Sequence, residues 1–332
     1  MTIGALAASS LALAGPAIAH AESAPASAAG ETASQPATLE RIEKHTEQDW
    51  SLFVYSPSMD RTIELQVLRP ADTSEPRPVL YLLNGAGGGQ DRANWREQTD
   101  VVEFFSDKNV NVVTPIGGAF SYYTDWLEDD PVLGRNKWET FLTKEIPPLV
   151  DDVLGTSGRN AIAGMSMSAT SALALAEKAP ELYEGVASYS GCAETASPAG
   201  ARYAEIVVSL GGGEVENMWG PIRGTHWVEQ DVVRNAEKLR GKAVFVSAGS
   251  GMPGEVELRA WEQSGVAVLP DVATLGIIEA NVHDCTNRLR TALDQAGVTA
   301  TYSVRPDGTH TWGYWEDALH DSWPVLAEAI GA

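Results

Sequence analysis

Apolar residues along the chain fall into runs of two kinds. Ile63, Leu65 and Val67 alternate with polar neighbours, as a strand buried on one face does, and with the run at 52–55 and a turn from Pro57 they predict a hairpin. A continuous apolar run at 79–83 predicts a strand buried on both faces, and 110–115 and the end of another stretch at 160–163 read as further buried strands. Further strands are expected at 185–190, 243–247 and 299–304. Between them, helical patterns appear at 101–105, 137–154, 169–178, 275–296 and 313–330. Pro147 and Pro148 are expected to interrupt the second of these. Residues 191–240 are Gly-rich, irregular and Trp-bearing, and read as loops with short helices over the sheet's edge. Strand and helix alternate without an internal repeat, so the pattern predicts an α/β protein with a mostly parallel central sheet and helices on both faces.

The beginning of the chain reads differently. Residues 3–19 are small and apolar, and end in two A-x-A sites around Ala19 and Ala21, as an export signal does. Ser9, Ser10, Gly15 and Pro16 break the run, which argues against a membrane span. No Lys or Arg precedes Arg41, so the usual basic start of such a signal is missing, as it would be if translation began further upstream. Residues 22–38, rich in Ala, Ser and Pro, carry too little bulky apolar surface to order themselves and read as a disordered spacer. The expected organisation is therefore a signal at 1–21, a spacer at 22–38 and one catalytic domain at 39–332, exported to the cell envelope or beyond.

Composition narrows the partners. An apolar fraction of 44% is ordinary, but a formal charge of −22 repels nucleic-acid phosphates and anionic headgroups, so no nucleic-acid partner is expected. The two cysteines, Cys192 and Cys285, are too few for a disulfide scaffold but sufficient for one bridge in an oxidising compartment.

Chemistry concentrates where the strand ending at Ala163 meets the helix from Ala169. The turn between them is Gly164-Met165-Ser166-Met167-Ser168, close to the G-x-S-x-G pattern that holds a nucleophilic serine at a kinked strand-to-helix junction, with Ser168 in place of the second glycine. An ordinary junction would read similarly. The strand at 79–83 ends in Asn84-Gly85-Ala86-Gly87-Gly88-Gly89, whose bare backbone can approach a ligand closely. A phosphate cradle there would need a following Lys-Ser or Lys-Thr, which Gln90-Asp91-Arg92 does not supply, so an oxyanion-binding loop is the better reading. A serine hydroxyl needs a base and an orienting acid. His310, after the last strand and before the last helix, is the one histidine of six placed to reach it. The acid should lie between serine and histidine, where Asp271, Glu279, Asp284 and Asp294 all remain open.

Seven stretches, in order from Val54 to near the C-terminus, resemble the antigen 85 mycolyltransferases and their corynebacterial-type relatives: VYSPSMDRTIELQV, LYLLNGAGG, SYYTDW, NKWETFLTKEIPPLV, GMSMSATSALALA, NMWGP and GTHTWGYW. The resemblance implies an exported enzyme of the α/β-hydrolase fold in which Ser166 is the nucleophile, His310 the base and Glu279, in IIEANVHDCTNRL, the acid. It also implies an oxyanion hole from the backbone N–H groups of Ala86 and Met167, and substrate contacts by Asn84 and Trp312. Asn84 stands where the family has an aspartate, and a family arginine in the loop is replaced near Gly87, so the sugar-binding side carries over less well than the acyl chemistry.

The function so implied is ping-pong transfer of a mycoloyl group from trehalose monomycolate to an acceptor hydroxyl on a glycolipid, cell-wall arabinan or protein, with no metal or organic cofactor. A secreted carboxylesterase acting on the same lipids is the first alternative. A binding protein on the same scaffold is the second.

Overall fold

The computed structural model describes residues 36–332, so the expected signal and most of the spacer lie outside the described residues. Within them, nine strands form one sheet: β1 (Thr38–Lys44), β2 (Asp49–Ser56), β3 (Arg61–Leu68), β4 (Arg77–Leu83), β5 (Asn111–Ile116), β6 (Thr156–Met165), β7 (Tyr183–Tyr189), β8 (Ala243–Ala248) and β9 (Ala300–Val304). Their order is β1-β2-β3-β5-β4-β6-β7-β8-β9. The first three strands and the β3–β5 pair are antiparallel, and every pairing from β5 to β9 is parallel.

The double burial expected of the central strands follows from layers on either side. In β4, Tyr81 and Leu83 face one core with Ile162, Val186 and Leu173, while Leu80 and Leu82 face the other with Ala161, Phe245 and Leu319. Helices α1 (Ile146–Leu154) and α2 (Met167–Lys178) cover the first face and the C-terminal helix α5 (Trp312–Ile330) the second. Eleven of the twelve residues of α2 are buried, which its run of Ala and Ser makes sterically feasible.

The structure corrects four expectations. The ordered fold starts before residue 39: Ala37 is buried and its N–H donates to the Glu145 carbonyl at 3.2 Å. Strand β1 follows, unseen in the sequence because its charged residues lie on an exposed edge; Arg41 and Lys44 cover the Phe53 and Trp50 rings of β2. Pro147 and Pro148 do not break the helix they lie in. The turn before them, Phe141–Glu145, widens to a π-helical turn, and the prolines then occupy the start of α1, where their missing N–H groups cost little. Finally, the irregular stretch contains a 13-residue helix, α3 (Pro198–Leu210), and the helix expected from 275 starts earlier as α4 (Leu269–Ala296).

Candidate active site

Strand β6 delivers the chain to Ser166, whose φ of 55° and ψ of −121° place a non-glycine residue in a region that L-amino acids rarely adopt. Its N–H donates to the Tyr189 carbonyl at 2.8 Å, so the kink is braced by β7. Gly164 is required: a Cβ there would lie 2.5 Å from the Ser168 carbonyl oxygen. The replaced second glycine is accounted for as well. Ser168 turns its hydroxyl back on the turn, accepting from the Met165 N–H at 2.9 Å and donating to the Met165 carbonyl at 3.0 Å.

Across the sheet's C-terminal edge, the loop between β9 and α5 carries His310. Its Nε2 lies 2.8 Å from Ser166 Oγ and its Nδ1 2.7 Å from Glu279 Oε2. Glu279, on α4, is 1% exposed; its other oxygen accepts from Ser190 Oγ at 2.8 Å and from the Gly249 N–H at 2.7 Å. A buried carboxylate with this many donors keeps a fixed orientation. Of the four acids the sequence left open, Asp271, Asp284 and Asp294 are exposed, and only Glu279 meets the imidazole. A hydroxyl, an imidazole and a carboxylate in this order can pass a proton from serine to histidine while the carboxylate stabilises the imidazolium.

The His310 loop is held by residues that pattern reading did not single out. Glu257, 6% exposed, accepts from Thr309 Oγ1, from Tyr314 OH at 2.6 Å and from the Gly254 N–H at 2.7 Å. Burial pushes its carboxyl up, but the hydrogen bonds from Thr309, Tyr314 and Gly254 outweigh burial and hold it below the usual value. The Trp315 ring meets the imidazole edge-to-face at 5.0 Å. A carboxylate 53 residues upstream of its histidine leaves no local signal, whereas Trp315 lies within the GTHTWGYW stretch.

On the other side of Ser166, the Met167 N–H is the first of α2 and has no intrahelical acceptor. Ala86 lines the space onto which Ser166 and His310 open, in a loop locked in place by Gly117 N–H to Gly88 O at 2.8 Å and Phe120 N–H to Ala86 O at 2.7 Å. Asn84 departs from the expected substrate contact. It is fully buried, donating to the Pro115 carbonyl at 3.4 Å and accepting from the Trp95 N–H at 3.3 Å, so its side chain fastens the loop and does not line the cleft. Trp312 is half-buried between Trp95 and Trp315, with ring centroids 5.4 and 5.3 Å away, and it too lies outside the cleft lining.

Ser166 and His310 open onto a cleft of about 580 Å³ between α3 and α4. Its walls are mainly apolar, with Ile206, Val207 and Leu210 on one side and Ile277, Ile278 and Val282 on the other. Cys192, also in its lining, is joined to Cys285 of α4. Glu194 lies beside that bridge, but both its oxygens are taken by Arg288, at 2.6 and 2.7 Å, so this group offers no free donor set for a metal.

The chain matches the Esterase family over residues 56–325. It is 30% identical to the diacylglycerol acyltransferase/mycolyltransferase Ag85A of Mycobacterium leprae over 291 residues, 85% of this chain and 83% of that one. It is 31% identical to Ag85A of Mycobacterium tuberculosis, over 85% of this chain and 81% of that one. Among solved structures, MPT51 (FbpC1) of M. tuberculosis superposes with a TM-score of 0.71 over 86% of this chain and 100% of that chain, at 24% identity. An S-formylglutathione hydrolase from Agrobacterium tumefaciens superposes with a TM-score of 0.64, at 17% identity, over 88% of this chain and 99% of that one. These two likenesses concern the fold, which is that of the α/β-hydrolases.

Proposed function

The chain belongs to the Esterase family, and from that premise we propose that it is a serine acyltransferase that moves a mycoloyl group from trehalose monomycolate to an acceptor hydroxyl. The single observation that carries this reading is the unbroken hydrogen-bonded sequence from Ser166 through His310 to Glu279 at the mouth of an apolar cleft. Ser166 attacks the ester carbonyl while His310 takes its proton, and Glu279 stabilises the resulting imidazolium. Charge developing on the carbonyl oxygen is met by the Ala86 and Met167 N–H groups; a donor of this kind contributes about 3 kcal/mol to the transition state. Protonated His310 then returns its proton to the leaving sugar hydroxyl. The acyl-Ser166 intermediate holds its alkyl chain between α3 and α4 until an acceptor hydroxyl, deprotonated by His310, releases it.

The acceptor is a second trehalose monomycolate, cell-wall arabinan or a protein serine, and the reaction takes place in the cell envelope after export. An apolar N-terminal run with A-x-A sites and a disulfide suited to an oxidising compartment support that location. Water competes for the same acyl-enzyme, so hydrolysis is the rival outcome. The buried Asn84 and the missing loop arginine weaken sugar binding and give that rival a structural basis. Mass spectrometry of products from trehalose monomycolate tests the reading: diacylated trehalose, or acyl transfer to an added glycan, is expected. Free acid alone at every acceptor concentration would make the protein a hydrolase, and failure of a fluorophosphonate to label Ser166 would leave only a binding role.

A further inference from the structure

The outer part of α4 and the helical segment before it are poorly covered. Among the described residues, the run Glu255–Ala296 is long and apolar enough by composition to cross a bilayer, yet only 17% of its most apolar part is buried. The exposed side chains are large. Trp261 is 44% exposed, Val266 71%, Leu269 48% and Ile277 67%. Ile206 and Leu210 of α3 stand at the cleft as well, 43% and 73% exposed. Ile277, Ile206 and Leu210 also line the cleft that begins at Ser166, so the exposed apolar side chains of α4 reach the mouth of that cleft.

Charge singles out the part of this region after Trp261, which itself lies beside Glu262. The sequence carries 45 acidic and 23 basic residues, but between Val266 and Ile278 Asp271 is the only ionisable one. A large apolar patch rimmed by charge marks a surface that is covered in use. The cleft indicates by what. An ester with a long acyl chain is held in water as an aggregate, and moving it through water to the serine exposes every methylene to solvent. A shelf that reaches the mouth of the cleft lets the chain slide from aggregate to protein without that exposure. With a net charge of −22 the protein is repelled by anionic headgroups, so the surface it fits is uncharged or zwitterionic.

We propose that the apolar shelf of Trp261, Val266, Leu269 and Ile277 docks the protein on an uncharged lipid surface, at the mouth of the cleft that receives the acyl chain. The proposal rests on the acyl-transfer reading of that cleft but has its own readout. Flotation with phosphatidylcholine vesicles is expected to carry the wild-type protein to the lipid layer, and V266E/L269E to reduce the bound fraction about tenfold or more. Turnover of the soluble ester p-nitrophenyl butyrate is expected to be unchanged in that variant, since neither position lines the cleft. If the double charge impairs soluble-ester turnover, V266S/L269S replaces it in the same comparison. Wild-type protein that stays with the aqueous layer, that floats only with phosphatidylglycerol vesicles, or that floats as well when altered would overturn the proposal. So would a wild-type dimer that the variant dissociates, which would assign the shelf to a second copy. Failure of the acyl-transfer reading would show instead as undiminished turnover by Ser166→Ala, with flotation unaffected.

Discussion

The carboxylate of Glu257 and the hydroxyl of Tyr314 meet at 2.6 Å beneath the loop that carries His310. With Thr309 bonded to the same carboxylate, residues on both sides of the imidazole are fastened to one buried group. Glu257→Ala is therefore expected to lower kcat about tenfold or more with little change in KM, and Glu257→Gln to restore part of the loss. Steady-state kinetics on a soluble ester check it; a rise in KM alone would mean that Glu257 does not position the base. Its depressed pKa gives a sign as well. The stability it adds is present above its ordinary value of 4.5 and is lost as acid protonates it, so acid unfolding should begin at a higher pH in Glu257→Ala than in the same protein with an exposed carboxylate removed.

Substituting Glu279 by Gln keeps the shape but removes the charge facing His310 Nδ1. Burst and steady-state kinetics are expected to show kcat reduced by about 10³- to 10⁴-fold with KM nearly constant. Ser166→Ala should lose at least about 10³-fold and keep its thermal unfolding midpoint within a few degrees. Near-wild-type turnover by either variant would refute the roles proposed for these side chains.

Glu177 of α2 is 4% exposed, and burial pushes its carboxyl up to about 9. The folded protein keeps this proton between the ordinary 4.5 and about 9 while the unfolded chain releases it. Stability must then fall as pH rises through that window, by at most about 1.4 kcal/mol per pH unit. Glu177→Gln should raise the melting temperature near about pH 8 and leave it unchanged near about pH 4, where both states are protonated anyway. Equal effects at the two pH values would remove Glu177 as the cause.

The bridge between Cys192 and Cys285 spans a sequence separation of 93 residues, for which chain entropy predicts about 4 to 5 kcal/mol of stabilisation. It also ties α4, which carries Glu279, to the segment just after Ser190, the hydrogen-bond donor to Glu279. The C192S/C285S variant is expected to melt at a lower temperature and to turn over more slowly. Differential scanning calorimetry beside ester kinetics separates the two effects.

Cleft length should set acyl preference. Val207→Trp fills the α3 wall, and kcat/KM for long-chain esters is expected to fall about tenfold or more relative to butyrate. An unchanged ratio would place the alkyl chain elsewhere.

The parts of this molecule that could be read from its residues are those where a local pattern and a local physical need coincide. Apolar stretches announced the central strands, and the Gly164-Met165-Ser166-Met167-Ser168 pattern announced the kink at Ser166. His310 was isolated by its place after the last strand. Other features depend on contacts distant in sequence. The acid could not be chosen among four by position, because what distinguishes Glu279 is burial against Ser190 and Gly249. Glu257 left no signal for the same reason. Strand β1 has no apolar period since almost nothing in it is buried, and the continuity of the helix through Pro147 depends on a π turn that no residue type announces. Asn84 misled in the opposite direction: its place in the motif pointed at the ligand, while its amide is used up inside the loop.

Helix α4 runs for 28 residues, about 42 Å of rigid rod at the usual rise. Along it lie the cleft-lining Ile277, Ile278 and Val282, the carboxylate that meets the imidazole, and the anchoring half-cystine. Parts on one rod do not move independently. A descendant of this protein that reshapes the cleft by shifting the rod's outer turns also displaces the carboxylate held against His310, so on the acyl-transfer reading appetite and speed are inherited together.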